Sequence, residues 1–210
     1  MLSELLKKAL AENDLQMNDA SRDKCVHYLE LLKKWNKTFN LTSITEPKEM
    51  VYLHIIDSLL VAPHLSGQRF LDVGSGAGLP GIPLAIMYPE HEWVLLDKNN
   101  KKSRFQVQAI ADLGLKNVQA VHSRAEDFHT GQCFDSIVSR AYATLALFVK
   151  TSQHLICKNG TFVAMKGKYP HDELPGLDAD AINIANIAQL DMKGMTLERH
   201  VVCLKFNDPR

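Results

Sequence analysis

A chain of 210 residues, 46% hydrophobic and 23% charged, suits one globular domain with a sizeable core and at most a small extension. Its 24 basic side chains equal its 24 acidic ones, which excludes wholesale electrostatic binding of nucleic acid but leaves room for a local basic patch. The amphipathic start MLSELLKKALAENDL does not read as a secretory signal, and no apolar run is long enough to span a membrane. Cys25, Cys133, Cys157 and Cys203 lack CxxC spacing, so reduced thiols, a cytoplasmic location and no metal are expected.

In chain order, the first elements are helical. Leu2, Leu5, Leu6, Ala9 and Leu10 make one apolar stripe; Tyr28, Leu31, Leu32, Trp35 and Phe39 make a second, opened by the capping run NDAS. A third helix is predicted over PKEMVYLHIIDSLLVA, with Pro47 at its start. From residue 69 the texture changes to short apolar runs, RFLDV, EWVLLD, VQAVHS, DSIVSRA and GTFVAMKG, separated by helix-length segments. That alternation predicts βαβ units and a parallel sheet. Two more strands, near NIANIAQLDM and ERHVVCLKF, have KG at 193–194 available for a turn and should pair antiparallel. The expected division is a helical extension over 1–66 packed on an α/β domain over 67–210. No dimer heptad stands out, and a monomer is expected.

The segment DVGSGAGLPGIPLAI, residues 72–86, joins the first strand to a helix. Glycines in such a turn let backbone approach a ligand, and Pro80 and Pro83 suit a helix's first turn. A phosphate-binding loop would end in Gly-Lys-Ser/Thr, whereas Leu79-Pro80-Gly81 stands here. A dinucleotide fingerprint starting at Gly74 would need glycine where Leu79 is, and one starting at Gly76 misplaces its middle glycine. Asp72, ahead of Gly74, Gly76 and Gly78, would repel a pyrophosphate but suits a cofactor carrying positive charge, such as S-adenosylmethionine. Asp97, ending the second strand, is placed to accept hydrogen bonds from ribose hydroxyls. Ala125 and Glu126, after the third strand, fall beside the expected adenine pocket.

Taken together, KWNKTFNLTSI, HIIDSLL, DVGSGAGLPGIPLAI, LLDKNNKKSRF, VHSRAEDF, FDSIVSRA, MKG and ERHVV resemble, in order, the glucose-inhibited division protein B (RsmG) family of bacterial 16S rRNA guanine-N7 methyltransferases. The resemblance runs from about residue 20 to the end of the chain. It implies a Rossmann-like class I methyltransferase: a mostly parallel seven-stranded sheet with an antiparallel last strand, helices on both faces and the N-terminal helical extension. It also implies S-adenosylmethionine as cofactor, contacts to it at Gly74, Leu79, Ala125, Glu126 and Arg140, and methylation of one guanosine (position 527, in the 530 loop) of 16S rRNA. The partner would be 16S rRNA, in the small ribosomal subunit or an assembly intermediate. The family usually has Arg before the His of this HIIDS segment, whereas this chain has Leu53.

Guanine N7 exposes an in-plane lone pair, so the reaction needs no general base. Alignment alone supplies roughly 7–11 kcal/mol in well-oriented systems. Arg140 and Lys166, at two strand ends, are the catalytic candidates. Asn40, Thr42, His54, Asp57, Ser58, Lys101 and Lys102 are the candidates for substrate binding. Each has a plainer reading: a strand-end salt bridge for Arg140, with Asp135 or another loop acid; a solvated strand end for Lys166; a helix-to-loop cap for Asn40 and Thr42. His54 would be the satisfied partner of Asp57; Tyr142 could stack on a base, with ordinary core as its plainer reading. An NAD-dependent oxidoreductase shares the loop and Asp97, and a non-enzymatic RNA-binding assembly module is a further class. Asp72, Leu79 and the intact loop argue against both.

Overall fold

Capping and apolar periodicity set the helices. The computed structural model describes residues 1–208. Helix α1 spans Leu2–Glu12, and α2 spans Asp19–Phe39, where the Asn18 side chain accepts from the Ser21 N–H and Asn40 closes the end in the left-handed region. The third helical run starts on Pro47 as expected. It is α3 (Pro47–Met50), then a wider π-helical turn over Val51–Ile56, then α4 (Asp57–Leu59).

The strands follow: β1 (Arg69–Val73), α5 (Gly81–Met87), β2 (Glu92–Asp97), α6 (Asn100–Leu113), β3 (Val118–His122), β4 (Phe134–Arg140), α7 (Leu145–Ser152), β5 (Ile156–Lys166), β6 (Ile182–Gln189) and β7 (His200–Phe206). They form one seven-stranded sheet in the order β3-β2-β1-β4-β5-β7-β6. The pairs among β1 to β5 are parallel, and β7 runs antiparallel to both β5 and β6. The mostly parallel sheet with an antiparallel last strand is therefore as expected. The tail turn is not tight: residues 190–199 connect β6 to β7, with Gly194 at φ +90° within them.

Strand residues alternate between two buried faces, because both sides of a parallel sheet are covered. Phe70, Trp93 and Leu95 face a cluster that includes Tyr28, Ile55 and Phe105; Leu71, Val73, Val94 and Leu96 face Phe134, Phe148 and Phe162. The first cluster runs without a break from α1 and α2 into α5 and α6, so residues 1–66 share the core of the sheet. Tyr28 Oη donates to the Ala77 carbonyl at 2.8 Å and Ser21 Oγ to that of Ile86 at 3.2 Å, so α2 grips the segment after β1 directly.

The cysteines correct one expectation. Cys133 and Cys157 are joined in a disulfide, with Cα atoms 4.9 Å apart, while Cys25 and Cys203 are free and buried. Spacing in sequence concealed the pair because they meet only when Phe134 comes into register with Ile156 across β4 and β5.

Candidate active site

The loop after β1 is held open by its own hydrogen bonds. Gly74 N–H and Ser75 N–H both donate to the Leu96 carbonyl, and the Gly78 and Leu79 N–H groups to that of Ser75. Gly76 N–H donates to Asp97 Oδ2 at 2.8 Å, and Gln106 Nε2 bridges Ser75 Oγ and the Gly76 carbonyl, both at 2.8 Å. Gly74 sits at φ +70°, in the left-handed region, and a Cβ there would lie 2.5 Å from Cδ2 of the Tyr142 ring. The Tyr142 ring occupies the space that a side chain at Gly74 would need.

Beside it lies a cleft of about 240 Å³ lined by Gly74, Asp97, Asn99, Lys102, Ser123, Ala125, Glu126 and Tyr142, among others. Gly74, Asp97, Ala125 and Glu126 are thus where a cofactor contact was expected. The Asp97 carboxylate accepts from Gly76 N–H and, at 2.8 Å, from Asn99 N–H. A carboxylate offers about four lone-pair directions, so capacity remains for two vicinal hydroxyls.

Several expected contacts lie elsewhere. Asp72 is fully buried beneath the loop: strand alternation turns it to the Phe70 face, where Oδ2 accepts the Gly81 N–H at 2.9 Å. Burial raises its carboxyl to about 7, against the opposing pull of that N–H and of Arg140. The Gly81 donor is consumed there, and the Ile82 N–H goes to the Gly78 carbonyl, so the start of α5 turns these donors inward. Gly76 and Gly78 shape the loop without lining the cleft, and Leu79 is buried in the core. Tyr142 packs against the core cluster of Phe148 and also forms part of the cleft wall.

A second cleft of about 380 Å³ opens next to the first, and Ala141 borders both. Ala141 carries φ +52°, unusual for a residue with a Cβ. Of its neighbours, Arg140 lines the second cleft and Tyr142 the first. Thr42, His54, Asp57, Lys166 and Arg199 complete the polar wall, gathered from segments far apart in sequence. Buried Asp57 accepts from Arg140 Nη1 at 3.3 Å on one oxygen and from Arg199 Nε at 3.1 Å on the other. Arg140 Nη1 also donates to the Leu53 carbonyl at 2.7 Å. The ion pair foreseen for Arg140 is real, but its partner is Asp57; Asp135 instead accepts the Gln68 and Arg69 N–H groups. Arg140 lines the second cleft, next to Ala141, which borders both.

His54 is not the partner of Asp57. Its Nε2 faces Thr42 Oγ1 at 3.4 Å and its buried Nδ1 has no hydrogen-bond partner. Burial and, second, the nearby Arg140 pull its pKa down to about 4, so the ring is neutral near pH 7. Ser58 lies in the core with Oγ donating to the His54 carbonyl, a helix-internal bond, and Asn40 only caps α2. Lys166 lines the cleft, yet its ammonium donates to the Ala143 carbonyl at 3.1 Å and to both Glu173 oxygens at 2.9 and 2.7 Å. Lys101 is exposed, whereas Lys102 lines the first cleft and not an outer rim. Arg199 is the residue the sequence reading missed. Its signal was the ERH that opens the last strand.

The family model described as rRNA small subunit methyltransferase G matches residues 21–202. A "Ribosomal RNA small subunit methyltransferase G" of Vibrio cholerae is 46% identical over 200 residues, covering 95% of each chain. One of Shewanella amazonensis is 43% identical over 204 residues, covering 97% of this chain and 98% of its own. Among solved structures, a SAM-dependent methyltransferase from Aquifex aeolicus superposes with a TM-score of 0.58 at 17% identity, covering 81% of this chain and 96% of that one. TYW2 of M. jannaschii in complex with AdoMet gives 0.56 at 15% identity, covering 73% and 74%. Those two likenesses establish the Rossmann-like fold; the match along nearly the whole sequence establishes more: the chain belongs to the rRNA small subunit methyltransferase G family.

Proposed function

We propose that this methyltransferase uses S-adenosylmethionine to methylate N7 of a guanosine in the 530 loop of 16S rRNA. It would act as a monomer in the cytoplasm, on the small ribosomal subunit or an assembly intermediate, without a metal. The observation that carries this is the pair of clefts meeting at Ala141, one beside the Gly74 loop and the Asp97 carboxylate and the other around Asp57, Arg140 and Arg199. When bound, the cofactor supplies an electrophilic methyl on a positively charged sulfur. The residues of the first cleft fit that group: Gly74 lets the Tyr142 ring pack against the loop as one wall, Asp97 has acceptor capacity for a ribose, and Ala125 offers a small wall for a flat ring.

In the second cleft, the chain's task is to hold a guanine edge-on so that N7 points at the methyl. Arg140 and Arg199 have guanidinium donors beyond those spent on Asp57 and backbone carbonyls, enough to address the O6 acceptor. The reaction leaves a positive charge on the purine. Asp57, between the two arginines, offsets the cationic surroundings that would otherwise oppose it. His54, neutral and facing Thr42, acts in packing and orientation, and no step asks it for a proton. Lys166 positions the wall through Glu173.

The test is to map N7-methylguanine in rRNA from cells with and without the protein, and to titrate the purified chain with S-adenosylhomocysteine and with NAD. Loss of one 530-loop modification, with binding of the first ligand alone, is expected. Unchanged rRNA, or a preference for NAD, would overturn the reading.

A further inference from the structure

We propose that Tyr169 and His171 form a preorganised stacking shelf for an unpaired RNA base flanking the methylated nucleotide, with Lys168 placed for its phosphate. The proposal rests on the rRNA methyltransferase reading above and adds a subsite to it.

The loop that follows β5 leaves the second cleft directly, since Lys166 and Gly167 both line it. Two residues further, Tyr169 and His171 lie ring against ring, with centroids 4.3 Å apart and planes 39° from each other. The edge of this pair rests on buried His200, 5.5 Å from Tyr169 at 85°, one residue beyond Arg199. Tyr169 is nevertheless 36% exposed, one of few large apolar side chains so placed among the described residues. Lys168 and His171 beside it are exposed too, as is the neighbouring acid Asp172.

The loop is stiff without using the two rings. Lys166 and Glu173 close it from both ends, and Glu173 Oε2 also takes the Leu145 N–H at the start of α7 at 2.7 Å. Buried Pro170 accepts the Glu173 and Leu174 N–H groups at 3.0 and 3.2 Å, and His171 N–H turns back to the Tyr169 carbonyl at 3.0 Å. So the chain spends an ion pair, a buried proline and a turn to hold an aromatic face out of the core, next to a cationic cleft. Single-stranded RNA is read through such faces, on which unstacked bases lie, and lysine meets phosphate as a point charge. A structural explanation of Tyr169 needs only its contact with His200. It does not account for the second ring or its exposure.

The experiment uses the full chain, with Tyr169→Ala, Tyr169→Phe and Tyr169→Trp, assayed by methylation of small ribosomal subunits. Stacking one base contributes enough that Tyr169→Ala should raise KM roughly tenfold or more, with kcat and S-adenosylhomocysteine affinity unchanged. Phe should restore the wild-type KM. Trp should retain it and gain a fluorescence signal, above that of Trp35 and Trp93, quenched on adding an unpaired RNA oligonucleotide. An unchanged KM for Tyr169→Ala, a Phe variant as poor as Ala, or a fall in kcat alone would overturn the shelf. So would quenching by intact subunits but not by RNA, which would assign the face to a protein. If wild-type chain methylates no rRNA, the proposed function fails by itself, and the quenching experiment still decides the shelf.

Discussion

The two clefts at the C-terminal edge of the sheet are built from different materials. The first is built around a loop: Gly74 at positive φ, the Asp97 carboxylate holding two backbone N–H groups, and loop walls from the next two strands. Its neighbour is mostly side chain, with one buried carboxylate between two arginines that lie 83 and 142 residues away in sequence. The first needs residues in unusual conformations, which a short motif can announce. The second needs charges that cancel across the fold, which no local motif carries.

The sharpest way to break this division is at Gly74. A Cβ there meets the Tyr142 ring at 2.5 Å and adopts φ +70°, so Gly74→Val should fold yet lose affinity for S-adenosylhomocysteine by at least about a hundredfold, the scale of a steric penalty near 3 kcal/mol. Gly76 differs, since nothing lies nearer than 3.8 Å to a Cβ placed there; Gly76→Ala is strained only by its φ of +60° and should lose less. Calorimetric titration ranks the two. Equal losses would mean that backbone conformation, and not the close approach of Tyr142 to Gly74, sets the affinity.

Two carboxylates sharpen the contrast at the next level. Asp97→Ala frees the Gly76 and Asn99 N–H groups and removes the ribose acceptor, so cofactor affinity should fall about tenfold or more. Asp57→Ala should leave that affinity alone. It strands Arg140 and Arg199, about a quarter exposed at 24% and 23%, so single-turnover methylation should drop about tenfold while stability falls by about 1–3 kcal/mol. If Asp57→Ala weakens S-adenosylhomocysteine binding as much as Asp97→Ala does, the two clefts are one site.

Sequence and structure agree best where the message is short-range. The strand runs, the Pro47 helix start, Gly74, Asp97 and the Ala125–Glu126 pair all stand where local pattern placed them. Asp72 was misplaced for a reason already in the sequence: strand alternation sends it to the face of Phe70, away from Val73, which lines the cleft. Arg199 is illegible in sequence because its place depends on Asp57, and the Lys166–Glu173 ion pair is invisible until the loop folds back. Cys133 and Cys157 repeat the lesson, joined by strand register and not by spacing.

A pH series separates two buried groups, His54 of the second cleft and Asp72 beneath the loop, by sign. His54 titrates near 6.5 when unfolded and near 4 when folded, so the unfolded chain binds the proton more tightly, and stability falls as pH drops through that window. Asp72 runs oppositely: from 3.8 unfolded to about 7 folded, it adds stability as pH falls from 7 toward 3.8. Each contributes at most about 1.4 kcal/mol per pH unit, and they offset where the windows overlap. In urea unfolding between pH 7 and 5, His54→Gln should therefore gain stability relative to wild type on acidification, and Asp72→Asn should lose it. Shifts of the same sign would show that one of the two groups is paired otherwise in solution.

The smallest expected effects come from adjacent lysines on α6, and they test where cofactor territory ends. Lys102 lines the cofactor cleft, and Lys101 is exposed. Both N–H groups are capped by Asn99, so alanine at either position leaves the helix start intact. A phosphate contact releases counterions and weakens as salt rises, so Lys101→Ala should flatten the salt dependence of binding to small subunits by close to one contact, about 0.7 to 0.9 in log–log slope. It should not touch S-adenosylhomocysteine affinity. Lys102→Ala should do the reverse, changing cofactor affinity a few-fold through a partly solvated cation whose pull is screened. If instead Lys102→Ala alters the salt slope and Lys101→Ala does nothing, RNA reaches over the cofactor cleft. The cationic face would then run inward from α6 across Lys102 to Arg140, and the side-chain cleft would be its far end.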